Sequence, residues 1–129
     1  MEFTSSSFIN WGPAPGEFFT GKAWFGPMGD PDDTTDIIVV GVGFEPSART
    51  NWHSHPGGQV LYCVSGYGLV ANEAGDRETL TPGDSVQIPS DELHWHGAGK
   101  DSPMFHLSIT VDATAWTDDP VTDDQYKGV

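Results

Sequence analysis

Glycine or proline interrupts this chain every few residues. Sixteen glycines and ten prolines fall among 129 residues, and the apolar runs left between them are roughly four to eight residues long and rich in Val, Ile, Phe and Tyr. Runs this short suit strands and leave no room for long helices, so the chain reads as all-β, a sandwich or barrel of short strands. The expected strands are Gly21–Phe25, Ile37–Phe44, Asn51–His55, Gln59–Ser65, Tyr67–Asn72, Arg77–Leu80, Ser85–Ile88, Leu93–His96 and Met104–Val111. Turns are signalled by Glu45-Pro46-Ser47, Pro56-Gly57-Gly58, Ala74-Gly75-Asp76, Thr81-Pro82-Gly83-Asp84 and Pro89-Ser90-Asp91. Each joins a φ-fixing proline or a permissive glycine to a polar neighbour. One short helical turn is expected in the tail, where Thr122 can cap it and Gln125, three residues on, completes a capping box. Residues 1–20, with Ser5-Ser6-Ser7, Pro13, Pro15 and Gly16, form an irregular arm whose Phe8, Trp11, Phe18 and Phe19 need somewhere to pack. Residues 21–129 form the single barrel domain.

The length is that of one ordinary domain. No stretch approaches the roughly 20 apolar residues of a membrane helix, and the first residues lack a basic start followed by an apolar run, so a cytoplasmic protein is expected. Asp and Glu number 19 against five Lys and Arg, giving a formal charge of -14. That field repels nucleic acid and anionic lipid, leaving a small molecule as the expected partner. It also suits solvation in high salt, and the runs Asp30, Asp32, Asp33, Asp36 and Asp118, Asp119, Asp123, Asp124 read as solvated loop and tail. The lone Cys63 has no disulfide partner in the chain, so a metal here would rely on nitrogen and oxygen ligands.

The five histidines supply the nitrogen. Four of them form two His-x-His pairs, His53/His55 and His94/His96, and the fifth is His106. Side chains alternate faces along a strand, so residues two apart project together at a spacing suited to one ion. Pro56-Gly57-Gly58 then reverses the chain, and Gln59 opens the returning strand, where its amide oxygen can supply a third ligand. His94 would arrive from a distant strand by barrel closure. The plain alternative is a set of ordinary surface or core histidines.

These residues carry a family resemblance. Gly43-Phe44-Glu45-Pro46 through His53-Ser54-His55, Gln59 and Gly66 resembles the first cupin motif, and Gly83-Asp84 through Pro89 and His94 resembles the second. Departures are Gln59 where many cupins carry glutamate, Asp91 where glycine is common and Ala98 where asparagine is common. The runs Phe44-Glu45-Pro46, Ala48-Arg49-Thr50, Trp52-His53, His94-Trp95-His96-Gly97-Ala98 and His106-Leu107 are similar to those of small manganese cupins described as bacterial hydroxynitrile lyases. The resemblance implies a double-stranded β-helix, or jelly-roll, barrel. It also implies one metal ion, manganese, on His53, His55, Gln59 and His94, with His106 as a catalytic residue beside it.

Three neutral imidazoles and a neutral amide would leave the full charge on a divalent ion, a stronger Lewis acid than a glutamate-ligated one. Nitrogen and oxygen ligands without sulfur also fit Fe, Co, Ni or Zn. Strand parity places His106, Ser108 and Thr110 on one face, assigned to the cavity, with Val40, Val42 and Phe44 as another stripe and Leu61 and Cys63 on the side of Gln59. His96 shares the face of His94 and is a second catalytic candidate, or a packed neighbour that does not bind the ion. Arg49 holds an anion near the site or pairs with one of the many carboxylates. The reaction expected is cleavage or formation of a small cyanohydrin or related carbonyl adduct. Competing readings are an oxygen-activating dioxygenase, a sugar-acid isomerase and a non-catalytic binding cupin. Trp11, Trp24, Trp116 and Phe25 exceed what one small barrel buries, so a homodimer or homotetramer is expected.

Overall fold

In the computed structural model, residues 1–29 and 36–128 are described. The acidic positions Asp30, Asp32 and Asp33 lie outside them. A 3-10 turn at Ser6–Phe8 is followed by β1 (Gly12–Pro13), β2 (Phe19–Thr20), β3 (Ala23–Gly29), β4 (Ile37–Phe44), β5 (Arg49–Thr50), β6 (His53–Ser54) and β7 (Gln59–Gly66). Then come β8 (Gly68–Asn72), β9 (Arg77–Leu80), β10 (Ser85–Ile88), β11 (His94–Ala98), β12 (Met104–Val111), β13 (Ala115–Trp116) and the short helix α1 (Asp123–Lys127). Among the described residues no helix is long and apolar enough to cross a membrane. One sheet runs β1-β3-β4-β12-β7-β10, and the other runs β13-β6-β11-β5-β2 with β8 on β11 and β9 on β8. Val42, Phe44, Leu61, Cys63 and Met104 of the first sheet cluster with Val70, Leu80 and Ala98 of the second and with Ala48 just before β5, so the core lies between the two layers. The all-β barrel with a short C-terminal helix is the architecture the punctuation and the resemblance imply.

Period-two alternation stacks the inner face of the first sheet in layers. Across β4, β12 and β7 the register aligns Ile38, Thr110 and Gln59, then Val40, Ser108 and Leu61, then Val42, His106 and Cys63. Met104 opposite Phe44 completes the far end. The ladder between β12 and β7 slips between Phe105 and His106, leaving Val64 without a partner. This bulge turns Ser65 outward to face Phe105, so the inward alternation of β7 stops at Cys63.

Of the expected strand Asn51–His55 only His53–Ser54 (β6) is strand, with β5 (Arg49–Thr50) lying before it, because the backbone between β5 and β6 serves other segments. The Asn51 N–H donates to Phe18 O at 2.8 Å and the Trp52 N–H to Asp119 O at 3.1 Å. The Asn51 side chain extends the same role, donating to Glu17 O at 3.0 Å in the arm and to Thr117 O at 3.2 Å in the tail. The arm, expected to be irregular, contributes the two-residue strands β1 and β2, paired with β3 and β5. Trp11 crosses the sheet where side chains are missing: a Cβ at Gly41 would sit 2.9 Å from the Trp11 ring and 2.9 Å from Phe105. The two rings meet edge to face at 5.8 Å.

The tail is fastened by polar groups. Thr122 accepts from the Gln125 N–H and the Gln125 side chain accepts from the Thr122 N–H, the capping box read from the sequence, and Gly128 closes the helix in the left-handed region at φ 83°. Arg49, buried, donates from Nε and Nη2 to Val121 O at 3.2 and 2.7 Å, and its guanidinium lies 4.7 Å over the Tyr126 ring. It also pairs with Asp123 at 2.9 Å. The ion-pair reading of Arg49 is therefore the one the structure supports, with backbone carbonyls as the greater part of its environment. Tyr126 donates its hydroxyl to Ala98 O at 2.7 Å.

Candidate metal centre

The five imidazoles come together between the sheets. His53 pairs with His94 in the ladder of the second sheet, and their ring centroids lie 4.3 Å apart. His55 lies 5.0 Å from His53 and 5.3 Å from His94, and His96 lies 5.1 Å from His53. All are almost fully buried. Ring nitrogens of His53, His94 and His96 lie within 4.8 Å of one another, a three-histidine group that could hold a metal ion. His96, expected beside such an ion rather than on it, thus belongs to a compact donor group, and His55 adds a fourth ring at similar range.

Burial sets the charge state of the cluster. Desolvation, and then the neighbouring His94, hold His53 well below the usual imidazole range. Desolvation brings His55 down to about 4 and is the leading cause of the lowering at His94. His96 lies well below its ordinary value through burial and then the adjacent His106, and burial takes His106 to about 4. Neutral rings at neutral pH are the form that ligates a metal.

Hydrogen bonds then decide which nitrogen faces inward. His53 Nδ1 lies 2.9 Å from Asn51 O and His94 Nδ1 lies 2.8 Å from Glu92 O. A carbonyl only accepts, so both Nδ1 atoms carry the proton and both Nε2 atoms present a bare lone pair. His55 Nδ1 meets the Thr114 hydroxyl at 3.3 Å, and its Nε2 is buried without a partner. Gln59 donates from Nε2 to Ser108 Oγ at 2.8 Å and to Thr110 Oγ1 at 3.0 Å. Its Oε1 thereby faces His94 Nε2 at 3.2 Å. In this arrangement an oxygen lone pair meets a nitrogen lone pair, which repel unless a cation lies between them. The outward Nδ1 partners are the kind that orient histidine ligands in metal sites. The inward-facing histidine nitrogens and the Gln59 oxygen are thus donors of the kind that could hold a divalent ion, with His53, His94 and His96 as the compact three-histidine group.

A cavity of about 300 Å³ opens beside the cluster. Of the positions assigned to it by strand parity, Val40, Val42, Ser108 and Thr110 line it, together with His53, His55, Gln59 and His96. Phe44, Leu61 and Cys63 pack instead into the core. His106 is fully buried behind His96, with Nε2 at 3.0 Å from His96 Nδ1. Sequence reasoning passed over the roof. Phe18 of the arm stacks on Trp116 of β13 at 4.8 Å, and Phe19, Phe25 and Ile38 complete the apolar wall. The signal was there in part, since Phe18 and Phe19 were arm aromatics in need of a surface. Phe25 and Trp116, counted toward an assembly interface, face the cavity.

Comparison with known proteins agrees with this architecture. The cupin domain family model matches residues 41–110. The (R)-mandelonitrile lyase of Granulicella tundricola is 40% identical over 120 residues, covering 90% of this chain and 91% of its own. The acireductone dioxygenase of Granulibacter bethesdensis is 31% identical over 78 residues, covering 55% of this chain and 44% of its own. Among solved structures, a cupin-like protein from Thermotoga maritima superposes with a TM-score of 0.84 at 36% identity, covering 89% of this chain and 90% of that one. Two packed antiparallel sheets, a buried histidine cluster and a family match over more than half its length place this chain in the cupin family.

Proposed function

We propose that this cupin is a metal-dependent lyase that cleaves or forms small cyanohydrins or related carbonyl adducts. The observation that carries the reading is the neutral His96–His106 pair, joined at 3.0 Å, with His96 facing an apolar cavity beside the donor set. His53, His55, Gln59 and His94 are the proposed ligands and Mn2+ the proposed ion, as in the manganese cupins the sequence resembles. When bound, such an ion supplies Lewis acidity toward a substrate oxygen.

The rest falls to the chain. Phe18, Phe19, Phe25 and Trp116 exclude water and hold the organic part of the substrate. His96 Nε2, buried and without a partner, takes the hydroxyl proton of a cyanohydrin while its Nδ1 proton is shared with His106 Nε2. As the carbon–carbon bond breaks, its electron pair leaves with cyanide and the hydroxyl oxygen becomes a carbonyl. The proton returns from the pair to cyanide. Burial favours that return, because the desolvation that depresses both imidazoles makes the protonated pair a stronger acid than a free imidazolium. The relative named (R)-mandelonitrile lyase supports the reading.

The test is mandelonitrile cleavage under strict exclusion of oxygen. His96→Ala, which removes the proposed base, should lower kcat by roughly 10²- to 10⁴-fold, the usual worth of acid–base catalysis, with metal content unchanged. Undiminished turnover in that variant would remove the pair from the mechanism. The second reading, an oxygen-activating cupin, is favoured by the similarity to an acireductone dioxygenase. It requires that activity vanish without oxygen, whereas a lyase keeps working.

A further inference from the structure

We propose that Ser108 and Thr110 are positioning residues for the Gln59 carboxamide, keeping its oxygen turned toward the histidine nitrogens. The inference rests on the ligand reading above and concerns what makes Gln59 a ligand at all. An amide has two faces of opposite character. Turned one way it offers an oxygen to a cation, and turned the other it offers an N–H donor, which a cation repels. Nothing in the covalent structure of glutamine chooses between them, so the surroundings must.

The surroundings are two hydroxyls from one strand. Gln59, Ser108 and Thr110 are all buried, and Gln59 Nε2 donates to Ser108 Oγ at 2.8 Å and Thr110 Oγ1 at 3.0 Å. The two hydroxyls also bond each other at 3.1 Å. Both amide hydrogens are thus accepted and Oε1 is left free to face His94 Nε2. Hydroxyls can donate as well as accept, so the turned-over amide must be counted too. The mutual bond uses one of the two hydroxyl hydrogens, leaving only one for a reversed Oε1, against two acceptors for the amide in the sense observed. Take the hydroxyls away and the balance inverts. The lone pair on His94 Nε2 becomes the acceptor at hand for the amide, which then turns an N–H donor into the place of the ion.

Glutamate needs no such help, since either carboxylate oxygen can ligate. This difference separates positioning from packing. The measurement is Mn2+ affinity, by competition with a chelating indicator, of the full-length protein and its variants. Ser108→Ala/Thr110→Val should weaken Mn2+ binding by roughly 10- to 100-fold, the usual effect of removing a group that orients a ligand. The same pair of changes combined with Gln59→Glu should leave the affinity of Gln59→Glu nearly unaltered. Ser108→Thr and Thr110→Ser, which keep the oxygens, should bind like the parent. Should the double variant fold poorly, the single changes Ser108→Ala and Thr110→Val serve, each with a smaller loss and the same dependence on residue 59. Equal losses with glutamine and glutamate would overturn the proposal, as would parental affinity in the double variant when Gln59→Leu binds weakly. If Gln59→Leu itself binds Mn2+ like the parent, the ligand reading falls and this inference with it.

Discussion

Replacing Arg49 by methionine keeps most of the apolar stem and removes the guanidinium, and the structure allows the cost to be worked out. Val121, almost fully buried, loses the two donors to its carbonyl, and a buried acceptor left without a partner costs about 1–3 kcal/mol. The stacking of the cation on Tyr126 at 4.7 Å is lost, worth about 0.5–2 kcal/mol. The pair with Asp123 is counted as negligible, because that carboxylate is 81% exposed and exposed pairs contribute about 0–1 kcal/mol. The sum, about 1.5–5 kcal/mol, is a large part of the 5–15 kcal/mol typical of a domain. Urea unfolding reads it directly: with a slope of about 2 kcal/mol/M, the midpoint should fall by about 0.8–2.5 M. Asp123→Asn is the control and should move the midpoint by much less. If the two variants shift alike, the carbonyl bonds and the ring contact do not hold the tail, and the reasoning fails. Cavity function should fall with stability, since Thr114 and Trp116 in the wall belong to that same tail.

Other consequences can be checked as simply. Cys63 is fully buried, and burial followed by the nearby Asp84 pushes its thiol up from the ordinary value. At pH 8 it should therefore react with an alkylating reagent only as fast as the protein unfolds, and rapid labelling of the native protein would refute this. His55→Ala should weaken Mn2+ binding sharply while His96→Ala retains it, measured as metal content after dialysis. The reverse result would make His53, His94 and His96 the true ligand set. Tyr62, Val64 and Val111 stay exposed on the outer face of the first sheet, and a homodimer or larger even assembly that covers this face is predicted. Light scattering that shows a monomer at micromolar concentration would contradict that.

Much of the scaffold was legible because strands write themselves into sequence with a period of two. β4, β9, β10 and β12 have the expected bounds, and the Thr122–Gln125 box marks the helix start. The break at Asn51 was not legible, since it depends on carbonyls of Phe18, Glu17 and Thr117, remote in sequence. The site divides in the same way. Alternation tells which face of a strand points inward but not how far along the barrel a residue sits. Val40, Ser108 and Thr110 stand at the cavity end, whereas Phe44 and Cys63 face inward nearer the far end and fill core. From Thr110 to His106 is four residues of strand, about 13 Å. Depth alone does not decide the matter, because Val42, level with His106, still lines the cavity; His106 is fully buried against His96 of the opposite sheet. The converging histidines were legible from two His-x-His pairs. Their roof was not, because Phe18 and Trp116 meet only after both ends of the chain have folded over.

One residue joins those ends to the centre. The Asn51 side-chain amide donates to the arm at Glu17 and the tail at Thr117, while the Asn51 backbone carbonyl accepts from Nδ1 of His53. Strain applied to either terminus, by a tag, a fusion or a support surface, is therefore delivered to an imidazole at the heart of the barrel. Immobilising this protein through an internal surface position would leave that linkage slack.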